Sequence, residues 1–232
     1  GCDLVRAWTA EGPPLPATII AHRQDGGSLH PAADSELTPL LVRAGCVLIG
    51  PGMGRRSGAA EAADQVFGMA VDLGVPVVVD ADGLALLNQQ IRNHPADAPP
   101  ILVTPHRGEA RNLVGSADDD AIHAFARPNR VVLAKAPVDL VSDGQRWQRN
   151  HRGNPRMSMG GTGDVLAGLA AGLMARGTHP YDAARMALLW LTESTDELWQ
   201  DQGPCYDTLD ALGHLPSTLK RLLKPLGIWP PV

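Results

Sequence analysis

The sequence predicts one α/β domain built on a central, mostly parallel sheet with helices on both faces and a small β-hairpin. Three observations carry that expectation. Short, wholly apolar runs recur along the chain. Each ends in a polar cluster that bears glycine or proline. Ala-rich stretches with apolar spacing near 3.6 follow some of them, the helical period. Runs apolar at every position suit strands buried on both sides, as in parallel sheets. No stretch has the length or composition of a linker, so a single domain over residues 1–232 is expected.

The elements follow in order. Residues 46–49 form a first strand, ending in Gly50-Pro51-Gly52-Met53-Gly54. Residues 57–73 form a helix closed by Gly74. Residues 75–79 are a strand ending in Asp80-Ala81-Asp82-Gly83, followed by a short helix near 84–87. Residues 101–104 are a strand ending in Pro105-His106-Arg107-Gly108-Glu109, and 131–135 a further strand ending in Lys135. Asp118-Asp119-Asp120 fits a helix N-terminus, where the dipole favours acids. Asp143-Gly144 between residues 138–142 and 145–150 signals a hairpin. A buried helix opens at 165–174, and helices at 181–200 and 208–223 complete the chain. Trp190 and Trp199 read as packing residues.

Composition narrows the function classes. Aromatics make up only 4% of residues, so the core is aliphatic. The net charge is −5 with no basic stripe, which excludes an obvious nucleic-acid surface. No apolar run approaches the roughly 20 residues of a membrane span, and no signal-peptide pattern occurs. Cys2, Cys46 and Cys205 are widely separated and form neither a disulfide framework nor a zinc pattern. A reducing, cytoplasmic setting is expected.

Gly160-Gly161-Thr162-Gly163-Asp164 precedes the buried helix at 165–174. Helix N-termini present unpaired N–H groups and partial positive charge, and glycines let an anion come close. An N-cap alone would need one small polar side chain rather than three glycines. Asp164 is out of place beside an anion unless its carboxylate takes a proton from an attacking hydroxyl during phosphoryl transfer. No Lys-Ser/Thr follows, so this is not a P-loop. Lys135 either neutralises nucleotide phosphates or is a solvated strand-end lysine. Asp80, Asp82 and Glu109 either hold Mg²⁺ through water or are ordinary loop acids. His106 either meets a substrate or is a bystander on its loop.

The sequence resembles the NAD(P)H-hydrate dehydratases, which have a ribokinase-like fold. The blocks are residues 49–54, Val79-Asp80-Ala81-Asp82, Thr104-Pro105-His106-Arg107-Gly108-Glu109, Lys135 with Pro137-Val138-Asp139, and residues 160–168, all in the family's order. A fainter match covers 206–216. The resemblance implies repair of hydrated NADH or NADPH (NADHX, NADPHX), with ADP or ATP as co-substrate and Mg²⁺. It implies Asp164 as catalytic base and a nucleotide site at Lys135, Ala136, Pro137, Val138, Asp139, Gly161, Thr162 and Gly163. Gly52, Gly54, Asp80, His106 and Asp164 would face the hydrate, with Glu109 nearest the metal through water. A homo-oligomer is expected.

The chain departs from the family pattern in three places. Lys135-Ala136 replaces Lys-Gly, and Gly83-Leu84-Ala85 stands where Ala-Leu-Asn is usual. The family's Gly-rich strand–turn–helix, which precedes the segment matching residues 1–5, has no counterpart, so a shortened domain lacking its first strand unit is expected. Two rival readings share these residues: a vitamin kinase acting on a hydroxymethylpyrimidine, thiazole or pyridoxal alcohol, and a non-catalytic nucleotide-binding paralogue.

Overall fold

The aliphatic runs assemble into the expected sheet. The structure, a computed structural model, describes residues 4–9, 19–24, 29–56 and 58–229. Strands β1 (Val5–Thr9) and β2 (Ile19–Arg23) pair in parallel and lie apart from the main sheet. Then follow α1 (Asp34–Leu41), β3 (Val47–Ile49), α2 (Ala59–Asp72), β4 (Val77–Val79), α3 (Asp82–Leu86), α4 (Asn88–Arg92), β5 (Ile101–Val103), α5 (Arg107–Val114), α6 (Asp119–Phe125) and β6 (Arg130–Ala134). The hairpin strands β7 (Asp139–Ser142) and β8 (Trp147–Asn150) lead to α7 (Thr162–Ala175), α8 (Pro180–Gln202) and α9 (Thr208–Leu223).

The main sheet has the order β3-β4-β5-β6-β7-β8. Pairing is parallel from β3 to β6 and antiparallel from β6 to β8. Alternation along each strand divides the core in two. Ile49, Val77, Val79, Ile101, Val103 and Val132 face α2 to α6, while Val78, Leu102, Val131 and Leu133 face α7 and α8. Both faces are therefore covered, as the unbroken apolar runs require.

β3 is an edge strand among the described residues, and its Leu48 is 37% exposed. That agrees with a sheet in which β1 takes no part.

Two helices escape sequence periodicity. α1 carries Pro39, a residue that normally argues against a helix interior. α5 begins inside the polar cluster Arg107-Gly108-Glu109, so it reads as a loop. The structure explains α5 by its cap: His106 Nδ1 accepts from Gly108 N (2.9 Å) and Glu109 N (3.2 Å), while Glu109 Oε2 accepts from His106 N (2.8 Å).

Candidate active site at the C-terminal strand ends

Parallel pairing brings the C-terminal ends of β3, β4, β5 and β6 to one edge of the sheet, the edge where open α/β sheets bind ligands. Gly50 has φ +126°, and a Cβ there would lie 1.8 Å from the Asp80 carbonyl oxygen. Only glycine allows the loops after β3 and β4 to touch so closely. Ala81 is the one non-glycine residue with positive φ (49°) among the described residues. Backbone strain of this kind, between Asp80 and Asp82, is concentrated at functional positions.

The two aspartates beside Ala81 serve different ends. Asp82 accepts from Gly54 N (3.0 Å) and pairs with Arg55 Nε (2.9 Å), so it shapes the Gly52–Gly54 loop. Asp80 is buried, and its Oδ1 accepts from Lys135 Nζ at 2.7 Å. A Cβ on Gly163 would lie 3.2 Å from that ammonium and 3.8 Å from Asp80 Oδ2. The first turn of α7 therefore rests on the Asp80–Lys135 pair.

Asp164 sits in that first turn, exposed, and accepts no hydrogen bond among the described residues. Although the residue is exposed, partial desolvation of its carboxylate raises its pKa; the Asp80 carboxylate pushes the same way, and the Lys135 ammonium pulls against them. Gly161 caps α7 with φ +88° and offers no side-chain cap. Thr162 Oγ1 is buried without a hydrogen-bond partner. Together these leave unpaired donors at a helix N-terminus, facing a carboxylate that no protein donor holds.

The neighbouring segments are more committed than their sequence suggests. Lys135 N donates to Pro105 O (2.8 Å), which aligns Lys135 beside His106. His106 Nδ1 is a cap acceptor, so its proton resides on Nε2, 3.4 Å from Glu109 Oε1. Glu109 Oε2 thus serves the cap, while Oε1 lies beside the His106 ring. Asp139 Oδ1 accepts from Ala136 N (3.0 Å) and its Oδ2 from Asn150 Nδ2 (3.2 Å). Burial raises the Asp139 pKa despite those bonds. Its carboxylate closes the 136–139 turn and leaves Lys135, Ala136 and Val138 beside a narrow cleft that Arg107 and Asp119 also line.

Sequence reasoning missed the Asp80–Lys135 pair, since 55 residues separate its members. It also missed the props of the glycine loop. Tyr206 Oη donates to Asn154 Oδ1 (2.7 Å), Asn154 Nδ2 to Asp196 Oδ1 (3.0 Å), and Thr208 Oγ1 to the Gly160 carbonyl (2.7 Å). The only signal was the Asp207-x-x-Asp210 pattern, a cap that fixes the start of α9. Among the described residues no group of three His, Cys, Asp or Glu side chains is placed to hold a metal.

A mostly parallel sheet with covered faces and a glycine loop opening a buried helix at its strand ends matches the ribokinase-like fold expected from the sequence. Within that class the chain belongs to the NAD(P)H-hydrate dehydratase family, whose model matches residues 1–217. It is 33% identical to the ADP-dependent (S)-NAD(P)H-hydrate dehydratase of Cenarchaeum symbiosum over 95% of this chain and 79% of that protein. It is 38% identical to the bifunctional NAD(P)H-hydrate repair enzyme of Hyperthermus butylicus over 74% of this chain and 34% of that protein. The chain thus spans about a third of that bifunctional relative. The ADP/ATP-dependent NAD(P)H-hydrate dehydratase of Bacillus subtilis, co-crystallised with ATP/Mg²⁺, superposes with a TM-score of 0.67 at 22% identity, covering 88% of this chain and 72% of that one. That likeness establishes the shared fold.

Proposed function

We propose that this chain dehydrates NADHX or NADPHX back to NADH or NADPH, with ADP or ATP as phosphoryl donor. The observation that carries the reading is Asp164, a carboxylate with a raised pKa and no protein donor, in the first turn of a helix whose capping loop leaves the Gly161 and Gly163 amides without an acceptor among the described residues. A base with a raised pKa, beside an anion cradle, suits deprotonation of an alcohol attacking phosphorus.

The Gly161–Gly163 backbone and Thr162 hold the terminal phosphoryl group. Asp164 takes the proton from the ring hydroxyl, whose oxygen bonds to that phosphorus as the bond to the bridging oxygen breaks and the shortened nucleotide leaves. The ring C–O bond then breaks, inorganic phosphate departs, and a proton leaves the neighbouring ring carbon to restore the double bond. Hydroxide leaves poorly and phosphate leaves well, which is why a nucleotide is consumed.

Lys135, Ala136, Pro137, Val138 and Asp139 form the wall for the adenine nucleotide, with Asp139 holding the turn rather than the ligand. Gly52, Gly54 and His106 Nε2 face the hydrate. Glu109, with Oε2 committed to the α5 cap, would hold Mg²⁺ only through water, and the ion would supply charge neutralisation to the phosphates.

The test is incubation of the purified protein with hydrated NADH, Mg²⁺ and either nucleotide. Returning near-ultraviolet absorbance with stoichiometric phosphate is expected. A stable phosphorylated alcohol would instead identify a kinase, and nucleotide binding without turnover a non-catalytic relative.

A further inference from the structure

The glycine loop presents donors to an anion only if its peptide planes are turned the right way. Thr162 N donates to Met159 O (3.4 Å) and Val165 N to Gly161 O (3.0 Å), which fixes the Gly161–Thr162 plane, but nothing within the loop fixes the plane between Gly160 and Gly161. Gly160 and Gly161 lack side chains, so the plane between them rotates at little steric cost. In a trans peptide the C=O and N–H point in opposite directions. The Gly160 carbonyl accepts from Thr208 Oγ1 at 2.7 Å, on the α9 side of the loop. The Gly161 N–H therefore points away from α9, and among the described residues it meets no acceptor.

Thr208 is itself firmly placed. It occupies the first turn of α9, where Asp207 Oδ1 accepts from Leu209 N (2.7 Å) and Asp210 N (3.0 Å), and Asp210 Oδ2 accepts from Asp207 N (2.8 Å). The preceding Tyr206 is buried; its carbonyl accepts from Arg156 Nε (2.9 Å) and its hydroxyl reaches Asn154, which is anchored to Asp196 on α8. Thr208 Cγ2 lies 3.3 Å from where a Cβ on Gly161 would be, so the two residues pack directly.

We propose that Thr208 is a positioning residue: its hydroxyl latches the Gly160–Gly161 peptide so that the Gly161 N–H, and not the Gly160 oxygen, faces the phosphoryl group. Released, the plane turns and offers a carbonyl oxygen to an anion, converting an attraction into a repulsion. The role rests on the reading of the glycine loop given under Proposed function.

Two variants separate the latch from packing. Thr208→Val keeps the shape and removes the donor; Thr208→Ser keeps the donor and removes the methyl. Steady-state dehydration of hydrated NADH, ADP affinity by calorimetry and thermal unfolding are measured for both and for the unaltered protein. Thr208→Val is expected to lower kcat at least about tenfold, the scale of losing one preorganised donor, with KM for the hydrate within about twofold and little change in melting temperature. Thr208→Ser stays close to the unaltered protein. Equal kcat in all three, or equal losses in both variants, overturns the latch, the second outcome assigning Thr208 to packing. If the unaltered protein does not turn over the hydrate, the proposed reaction fails, and ADP affinity decides the latch alone: weakening of at least about fivefold in Thr208→Val only supports it, and unchanged affinity overturns it.

Discussion

Two acidic turns in this molecule look alike in sequence and behave in opposite ways. In the hairpin between β7 and β8, Asp143 is buried and its carboxylate is fully answered. Oδ1 accepts from Gln145 N (3.0 Å) and Arg146 N (2.6 Å), and Oδ2 from Arg146 Nε (2.9 Å). In the glycine loop, Asp164 accepts nothing among the described residues. Burial would raise both pKa values. At Asp143 the hydrogen bonds from Arg146 and Gln145 outweigh it, and the pKa falls. At Asp164 the neighbouring Asp80 adds to it, and the pKa rises. A carboxylate satisfied by its own turn is structural. One that is pushed toward its protonated form and left unbonded is available for a proton and a ligand.

The contrast can be broken most forcefully at Asp164. Asp164→Asn is expected to lower dehydratase turnover at least about a hundredfold, as loss of a general base does, while ADP affinity stays within about threefold. Steady-state kinetics and calorimetry check both halves, and equal turnover in the variant removes Asp164 from the chemistry.

Lys135→Ala comes next. It leaves Asp80 buried without its cation, which should lower unfolding stability by about 2 kcal/mol, less than for a fully buried pair because Lys135 keeps some exposure. ADP affinity should fall more than kcat. Adding Asp80→Asn to Lys135→Ala should recover part of the stability but not the affinity. Urea denaturation and calorimetry separate the two.

Asp143→Ala supplies the opposite case. It strands donors in the hairpin turn and should cost about 1–3 kcal/mol of stability, with kcat unchanged. A fall in kcat without a fall in stability would contradict its structural role.

The smallest effect is in pH dependence, and the two aspartates differ in sign. Asp143 has a lowered folded pKa, so its contribution is present above the unfolded value and lost as pH falls through the folded one. Asp164 has a raised folded pKa, so its ionised form weakens the fold, and stability is lost as pH rises through that value. Asp164→Asn should therefore melt slightly higher than the unaltered protein at neutral pH, and the acid limb of kcat/KM should lie above the ordinary carboxylate range. Thermal melts across pH test the first expectation and rate profiles the second.

Much of this contrast was legible in the sequence because it is local. Asp143-Gly144 signalled its hairpin, three glycines before Asp164 argued against a side-chain cap on α7, and the α9 limits agree with residues 208–223. The apolar runs gave the sheet because burial on both faces leaves no alternation to misread. What escaped was either chemical or distant. α5 is held by a His–Glu cap that periodicity cannot register. Asp80 meets Lys135 only because β4 and β6 flank β5. Thr208 reaches Gly160 only because α9 returns to the loop after α8. In sequence, Lys135 stays open between a phosphate partner and a solvated strand-end lysine, because its ion-pair partner lies 55 residues away.

The central claim is that the ring hydroxyl becomes a phosphate ester within the glycine loop before it leaves. Hydrated NADH carrying ¹⁸O in that hydroxyl tests it directly. Turnover with ADP should place the label in the released inorganic phosphate, since the ring C–O bond is the one broken in the second step. Label appearing in water, with unlabelled phosphate or none, would contradict the account.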